Sequence, residues 1–569
     1  MQFDQILVYL GAFGTYQKRV YFLLCLISIP GAWHKLGQVF LGGSVDHWCA
    51  TPELDYVNCT YWDLDQSQCA VAKRDAAIPT DEEGSYESCL KYNLTGIPFY
   101  PGINTSDYNN KTISCNAGWK YDNTKYESTI NTDYNLVCNR ESLANIAQSV
   151  FFAGNLAGSI IFGIMADWIG RSPTMLIALI IWVSSALGTA FAPDIYVFMA
   201  LRFFVSCGSY GTFLPAYIIG TEFVGISKRP ITGIASQIAF AVGLMSLAGL
   251  AYFIRNWRYL QLAISIPIVL LFLYIPFLAE SARWLITRGK HVKAEKIIRR
   301  VAQVNKKELP DVLFEPHEIS KQKEKQKQGN ASVLTLFKTP YMAFKTVNLM
   351  WNWCVNSLVY YGISLNIPNL GTNSYLAFFF SGLVEIPAYL YAIWACQHFG
   401  GRKFNLTGAL LLAGGSCLLT GFLPPGVAVT CVAMVGKFAA SASFSIVYIF
   451  SAEIYPTPVR SAGTGISSAA SRIGGMVSPL IFLVGTHWTP LPFVLFGTCA
   501  ISAGLLTLLL PETRGKSLPE TLEEGENFGK PKWMGCSSDG TGERSRQETK
   551  GNVINGTSGN YTALPDVES

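Results

Sequence analysis

The sequence predicts an all-α membrane protein. Its twelve spanning helices form two pseudo-symmetric six-helix bundles, with a large disulfide-bearing extracellular loop. Three observations predict this. Apolar residues gather in roughly twelve blocks of the length that crosses a bilayer. The two halves of the chain echo each other at a nearly constant offset. Six cysteines crowd one polar stretch after the first block.

The blocks come first. The chain has 569 residues, of which 50% are hydrophobic and only 14% are charged, with a mean hydropathy of +0.28. A soluble chain is about a quarter charged. The blocks lie near 20–43, 143–165, 173–192, 195–219, 231–254, 259–279, 346–366, 374–397, 404–424, 427–451, 462–486 and 488–510. Turn-rich connections such as Ala192-Pro193-Asp194 and Pro424-Pro425-Gly426 separate them. A transmembrane barrel would need short strands of alternating polarity, and these blocks are long and continuously apolar. The start carries Asp4 and Lys18-Arg19, and no small-residue cleavage site follows the first block. That block reads as a spanning helix behind a cytoplasmic N-terminus at 1–19.

Two polar stretches then orient the chain. Residues 44–140 form an acidic loop with Asp81, Glu82, Glu83 and Glu87. The loop holds Cys49, Cys59, Cys69, Cys89, Cys115 and Cys138, an even set that predicts disulfides and an oxidising exterior. Their connectivity is open. Asn58, Asn93, Asn104 and Asn110 begin glycosylation sequons in the same loop. Residues 286–345 are basic, with Lys293, Lys296, Arg299, Arg300, Lys306 and Lys307, then Lys321, Lys323, Lys325 and Lys327. Basic loops stay cytoplasmic. The lysine run reads as a solvated topology signal; the sharper reading is contact with anionic lipid or a partner. Bundles are therefore expected over 20–43 with 141–285, and over 346–510. The tail at 511–569 is rich in Gly, Ser and charge and is expected to be disordered. Cys25, Cys207, Cys354, Cys396, Cys417, Cys431 and Cys499 fall in spans as small apolar fillers.

The repeat comes third. Gly170-Arg171 recurs as Gly401-Arg402, and Glu222 and Arg229 recur as Glu453 and Arg460, all 231 residues on. Thr232-Gly233-Ile234 recurs as Thr464-Gly465-Ile466, and Glu280 recurs as Glu512, both 232 residues on. Order and offset agree, so each half is a copy of one design.

These repeated residues carry a resemblance. The stretch from Gly163 through Asp167 to Gly170-Arg171 resembles the G-x-x-x-D-x-x-G-R loop motif of the major facilitator superfamily. In the second copy His398 stands where Asp would be. Within that superfamily the chain is similar to the organic cation, organic anion and carnitine transporters, solute carrier family 22. The cysteine-bearing first loop supports this. So does Glu280-Ser281-Ala282-Arg283-Trp284-Leu285, similar to P-E-S-P-R-W-L with Ala279 and Ala282 in place of both prolines. Tyr361-Gly362-Ile363-Ser364-Leu365-Asn366, Val384-Glu385-Ile386-Pro387-Ala388-Tyr389, Met434-Val435-Gly436-Lys437-Phe438 and Ala452-Glu453-Ile454-Tyr455-Pro456-Thr457 match as well. The resemblance implies a carrier of small organic ions, multi-pass in the plasma membrane or a vesicle membrane. Its parallel halves would rock about a central site.

Ionisable residues inside a bilayer are costly and usually functional. Lys35, Glu385, Lys437 and Arg472 fall well within spans. Glu385 with Lys437 also reads as an interior ion pair that locks helices together. Arg472 sits about a dozen residues into its helix, near the midplane where substrate sites lie. The resemblance places it where cation-selective members carry Asp and where anion and carnitine carriers carry Arg. A guanidinium grips a carboxylate with two bonds. Trp353, Tyr360 and Tyr361 on one helix, and Phe444 and Tyr448 on another, are candidates to hold an ammonium against their faces; the resemblance sets Trp353 and Tyr360 among cavity-lining positions. A zwitterion or carboxylate-bearing organic cation, such as carnitine, a betaine or an amino-acid derivative, suits both features. A polyspecific cation carrier and an organic anion exchanger are the alternatives. Asp167, Arg171, Glu222, Arg229, Glu453 and Arg460 lie at cytoplasmic helix ends as candidate gate residues, expected to hold one half against the other. Arg202, near the outer face, is read as structural or gating.

No Walker loop, zinc spacing, H-E-x-x-H or G-x-S-x-G occurs, so no enzyme, cofactor or metal is expected. The expected partners are the bilayer and a small organic ion, with coupling to Na⁺ or H⁺ left open; nucleic acid is not among them. A receptor that binds without moving its ligand, and an ion channel, are the rivals from other classes.

Overall fold

A bilayer offers no water to backbone amides, so a spanning segment must satisfy them internally. The chain does so with helices. The computed structural model describes residues 3–11, 13–57, 63–80, 86–94, 100, 111–225, 229–273, 278–310, 313–314, 333–485 and 488–530. Twelve apolar helices match the blocks: α1 (Thr15–Leu41), α2 (Ser142–Ile169), α3 (Arg171–Thr189), α4 (Ile195–Glu222), α5 (Arg229–Phe253), α6 (Trp257–Leu273), α7 (Pro340–Asn366), α8 (Ser374–His398), α9 (Gly401–Phe422), α10 (Val427–Ile454), α11 (Arg460–Val484) and α12 (Leu491–Thr507). Asp194, Asn256 and Asn373 cap α4, α6 and α8 by accepting from first-turn amides.

Packing repeats the sequence symmetry. In the first half α1 packs on α5, α2 on α4, α3 on α4 and α3 on α6. In the second, α7 packs on α11, α8 on α10, α9 on α10 and α9 on α12. The halves meet where α2 packs on α11 and α5 on α8, contacts that exchange under the same pseudo-twofold. Small residues set the approach of neighbouring helices. A Cβ on Gly158 of α2 would lie 2.6 Å from the Cys207 carbonyl oxygen of α4.

The repeated motif is one cap built twice. The Glu280 carboxylate accepts from the Arg171 and Ser172 amides at 3.0 and 3.1 Å. Glu512 accepts from the Arg402 and Lys403 amides at 3.0 Å each. Each carboxylate thus closes the positive N-terminus of α3 or α9. Gly170 and Gly401 adopt φ +113° and +80°, and a Cβ there would lie 2.5 and 2.6 Å from the capping carboxylates. Glu512→Ala is expected to cost about 1–2 kcal/mol, as lost caps do. Thermal unfolding of the detergent-purified chain checks this; an unchanged midpoint would mean that the cap is idle.

The 44–140 loop is a small braced unit. Strand β1 (His47–Cys49) pairs antiparallel with β4 (Trp119–Tyr121), and β2 (Leu90–Tyr92) with β3 (Thr112–Ser114). Cys49 joins Cys115 and Cys89 joins Cys138. Cys69 is disulfide-bonded as well, and Cys59 lies outside the described residues. His47 lies beside Cys89 and Cys138, but their disulfide leaves no thiolate there for a metal. Asn93 lies beside β2, its amide bonded to the Lys111 carbonyl; Asn58, Asn104 and Asn110 lie outside the described residues.

Two polar stretches carry structure beyond the expectation. The basic stretch holds a helix, His291–Asn305, whose Asn305 side chain donates to the Leu10 carbonyl and Gln17 at 3.0 and 2.7 Å; Lys321, Lys323, Lys325 and Lys327 lie outside the described residues. The tail is not wholly disordered. A helix at Leu522–Asn527 docks on α7. Glu526 accepts from the Tyr341 and Met342 amides at 3.1 and 2.7 Å, and the buried Lys345 ammonium donates to the Gly525 and Phe528 carbonyls at 2.7 and 2.8 Å. Composition hid this because hydrogen bonds to the Glu526 carboxylate and to two backbone carbonyls carry much of the dock.

Candidate functional site

The intramembrane charges fall into two groups. The first is neutral and closed. Glu385 of α8 and Lys437 of α10 are both fully buried and pair at 2.7 Å. Tyr360 and Tyr389 donate to the two Glu385 oxygens at 2.6 and 2.7 Å. Lys437 also donates to the Ser364 hydroxyl at 2.5 Å and lies 3.4 Å from the centre of the Tyr360 ring. Every oxygen of the carboxylate is thus occupied, as a buried charge requires.

The second group is unpaired. Arg472 of α11 donates to the Ser468 carbonyl, to the Ser468 hydroxyl at 2.8 Å, and to the Tyr210 hydroxyl of α4. Its guanidinium stands 4.5 Å from the centre of the Tyr210 ring, and its Nε has no hydrogen-bond partner among the described residues. Lys35 of α1 places its ammonium 5.3 Å from the Tyr361 ring centre and 5.8 Å from that of Phe240. The ion pairs among the described residues include neither Lys35 nor Arg472.

Aromatic rings stand beside these cations. Trp353 and Tyr360 are only 1% and 6% exposed. They form the backing of the ring cluster and not its face, because Trp353 is held by Ser451 at 2.8 Å and Tyr360 by Glu385. Tyr448, 44% exposed, stands in front, its ring 4.2 Å from Trp353, with Phe444 packing on both Trp353 and Tyr360. Tyr361 packs on Phe152 at 4.5 Å. The arrangement can bind a carboxylate at the cations and an apolar or cationic body along the rings.

The residues at the helix ends pair within their own half. Arg171 meets Asp167 at 3.1 Å, and Arg402 meets Glu453 at 3.0 Å. Glu222 lies in the field of Arg171 and Arg283. Arg460 donates to the Tyr455 carbonyl at 3.2 Å. Arg229 begins α5, and its side chain lies outside the described residues. The two halves instead touch at the loop end. There Tyr375 of α8 stacks on Phe40 of α1 at 5.5 Å and meets Tyr126 of the loop and Tyr252 of α5 at 6.1 and 5.6 Å.

Sequence reasoning missed Tyr210, Phe240 and Gln237, which accepts from Ser445 of α10 across the halves at 2.9 Å. The signal for Tyr210 is a weak one: Tyr210 and Tyr217 share a helix face, seven residues apart.

Comparison with known proteins names the class. Residues 102–524 match the family model described as sugar (and other) transporter. A human protein, solute carrier family 22 member 13, is 38% identical over 92% of this chain and 93% of its own length. The chain belongs to solute carrier family 22. This solute carrier is also 39% identical to the organic cation transporter protein of Drosophila melanogaster, over 98% of this chain and all of that one. It is 34% identical to the human organic cation/carnitine transporter 2, over 92% of this chain and 93% of that one. Its fold is that of the inward-open xylose transporter of E. coli, with a TM-score of 0.57 at 16% identity, covering 88% of this chain and 98% of that one. It is a multi-pass membrane transporter of the major facilitator type.

Proposed function

We propose that this solute carrier moves small carboxylate-bearing organic ions by alternating access, with the carboxylate seated at Arg472. The observation that carries the reading is an arginine near the midplane, 4.5 Å from the Tyr210 ring centre, that no carboxylate of the described chain neutralises. An unpaired guanidinium in a dry site is expensive, and a substrate that brings the missing charge repays it. Tyr448 and Phe444 supply ring faces for the rest of the molecule, so the class spans organic anions and zwitterions such as betaines and amino-acid derivatives. The relative named for carnitine agrees with that class. The relatives named for organic cations favour a second reading, in which the rings alone hold a cation; Arg472 repels such a ligand.

The proposal further takes the braced loop as extracellular, the basic stretch and both termini as cytoplasmic, and the membrane as the plasma membrane. The helix-end charges act as gates by re-pairing across the halves when the cavity opens to the loop side. The test is uptake into expressing and control cells of three labelled probes: a permanent cation, a carnitine-like zwitterion and an organic monoanion. Uptake of at least one carboxylate-bearing probe is expected. Uptake of the permanent cation alone would sink the reading. Repeating the assay without Na⁺, and with the proton gradient collapsed, reads any coupling.

A further inference from the structure

Lys35 is held as deliberately as Arg472. Helix α1 breaks at Gly37, between Ser28–Leu36 and Gln38–Leu41. The carbonyls just before the break turn to side chains of neighbouring helices. The fully buried Arg202 of α4 donates to the His34 carbonyl at 3.0 Å, and Gln148 of α2 donates to the Lys35 carbonyl at 3.0 Å. Arg202 also reaches Gln148 at 3.4 Å and rests 4.3 Å from the Phe151 ring centre. Two helices therefore fix the backbone from which the Lys35 ammonium projects. That ammonium faces Tyr361 and lies in the field of Arg472.

The charge count of the site follows. Lys35 and Arg472 bring two positive charges, one from each half, that no carboxylate among the described residues pairs. Glu385 cannot offset them, because Lys437 already neutralises it at 2.7 Å. Resting on the reading that a carboxylate seats at Arg472, we infer that Lys35 is a second anion anchor of the same site and makes it select net organic anions over zwitterions. A carboxylate drawn to both cations gains from each. An ammonium on the same small molecule must then share the site with two cations, neither of which is paired with an acid among the described residues, and in a low dielectric that repulsion is strong. Tyr448 and Phe444 attract an ammonium, but ring attraction is the weaker effect at this range. Lys35 is thus a specificity-determining residue, and Arg202 and Gln148 position it.

The test uses a matched pair on the full-length chain in expressing cells. Labelled β-alanine and 3-hydroxypropionate differ in one group, an ammonium against a hydroxyl. Wild type is expected to take up 3-hydroxypropionate about tenfold faster, the ratio that roughly 1.4 kcal/mol of repulsion produces. Lys35→Met, which keeps the buried stem, is expected to bring the two rates within a few fold, and Lys35→Arg to preserve the preference. Lys35→Gln is read in the same way should the Met variant fail to reach the surface. A wild-type preference for β-alanine, or a ratio unmoved by both neutral variants, overturns the inference. Arg472→Gln separates this from the parent reading: if it leaves uptake of both probes intact, the carboxylate seat itself is wrong, whatever Lys35 does.

Discussion

Replacing Lys437 with methionine is expected to cost about 3–5 kcal/mol, the range for stranding one partner of a buried pair. The reason is local. Glu385 would be left at zero exposure, with only the Tyr360 and Tyr389 hydroxyls to hold it. Those hydroxyls donate to a carboxylate but bring no positive charge. The pair also ties α8 to α10, and Ser364 ties both to α7, so the loss spreads over three helices. The expected readout is a steep fall in the unfolding midpoint of the purified protein and little chain at the cell surface. The double variant Glu385→Gln with Lys437→Met removes both charges and is expected to recover most of that loss, since neutral pairs replace buried ion pairs at small cost. A single variant as stable as wild type, or a double variant no better than the single, would show that the pair is not what locks these helices.

The second large effect is on flux. Arg472→Asp is expected to lower uptake of a carboxylate-bearing substrate by about 100-fold or more, because a charge-assisted pair is lost and a like charge takes its place. Stability is expected to change little. Arg472 is only half buried, and it makes hydrogen bonds to Ser468 and Tyr210 but no ion pair among the described residues, so its loss strands no partner charge. Surface biotinylation alongside uptake separates the two quantities. Tyr210→Phe, which removes one hydroxyl contact and keeps the ring, is expected to reduce uptake only several-fold. If Arg472→Asp instead leaves carboxylate uptake unchanged, the arginine is structural and the cation reading gains.

Hydropathy made the spans legible because every one must be apolar on its lipid side. It was weakest for α7, where Asn348, Asn352 and Asn356 form a buried polar stripe at helical spacing. The repeat was legible because the same cap is built twice from the same residues, Gly170 with Glu280 and Gly401 with Glu512. Glu385 and Lys437 could be singled out as costly charges, and their partnership could be guessed. That Tyr360 and Tyr389 complete it could not, since a chain with 27 tyrosines marks none of them. Lys35 and Arg472 were visible one at a time. That Lys35 lies in the field of Arg472 depends on how the two bundles come together. The Cys49–Cys115 and Cys89–Cys138 linkages were equally hidden, because pairing follows the strand register and not the spacing along the chain.

The braced loop is fastened to the first half. Asp133 receives Trp257 at 2.9 Å and Arg258 at 3.3 Å, and the Glu127 amide bonds the Arg255 carbonyl. It reaches the second half at Tyr375, which meets Tyr126 and donates to the Lys125 carbonyl at 3.3 Å. The loop is therefore a handle on one arm of a pair of tongs. A large binder that grips it, and presses toward Tyr375, would jam the tongs from the loop side without touching Arg472 or Lys35. Such a blocker owes nothing to the chemistry of the cargo, so it would stop every substrate equally.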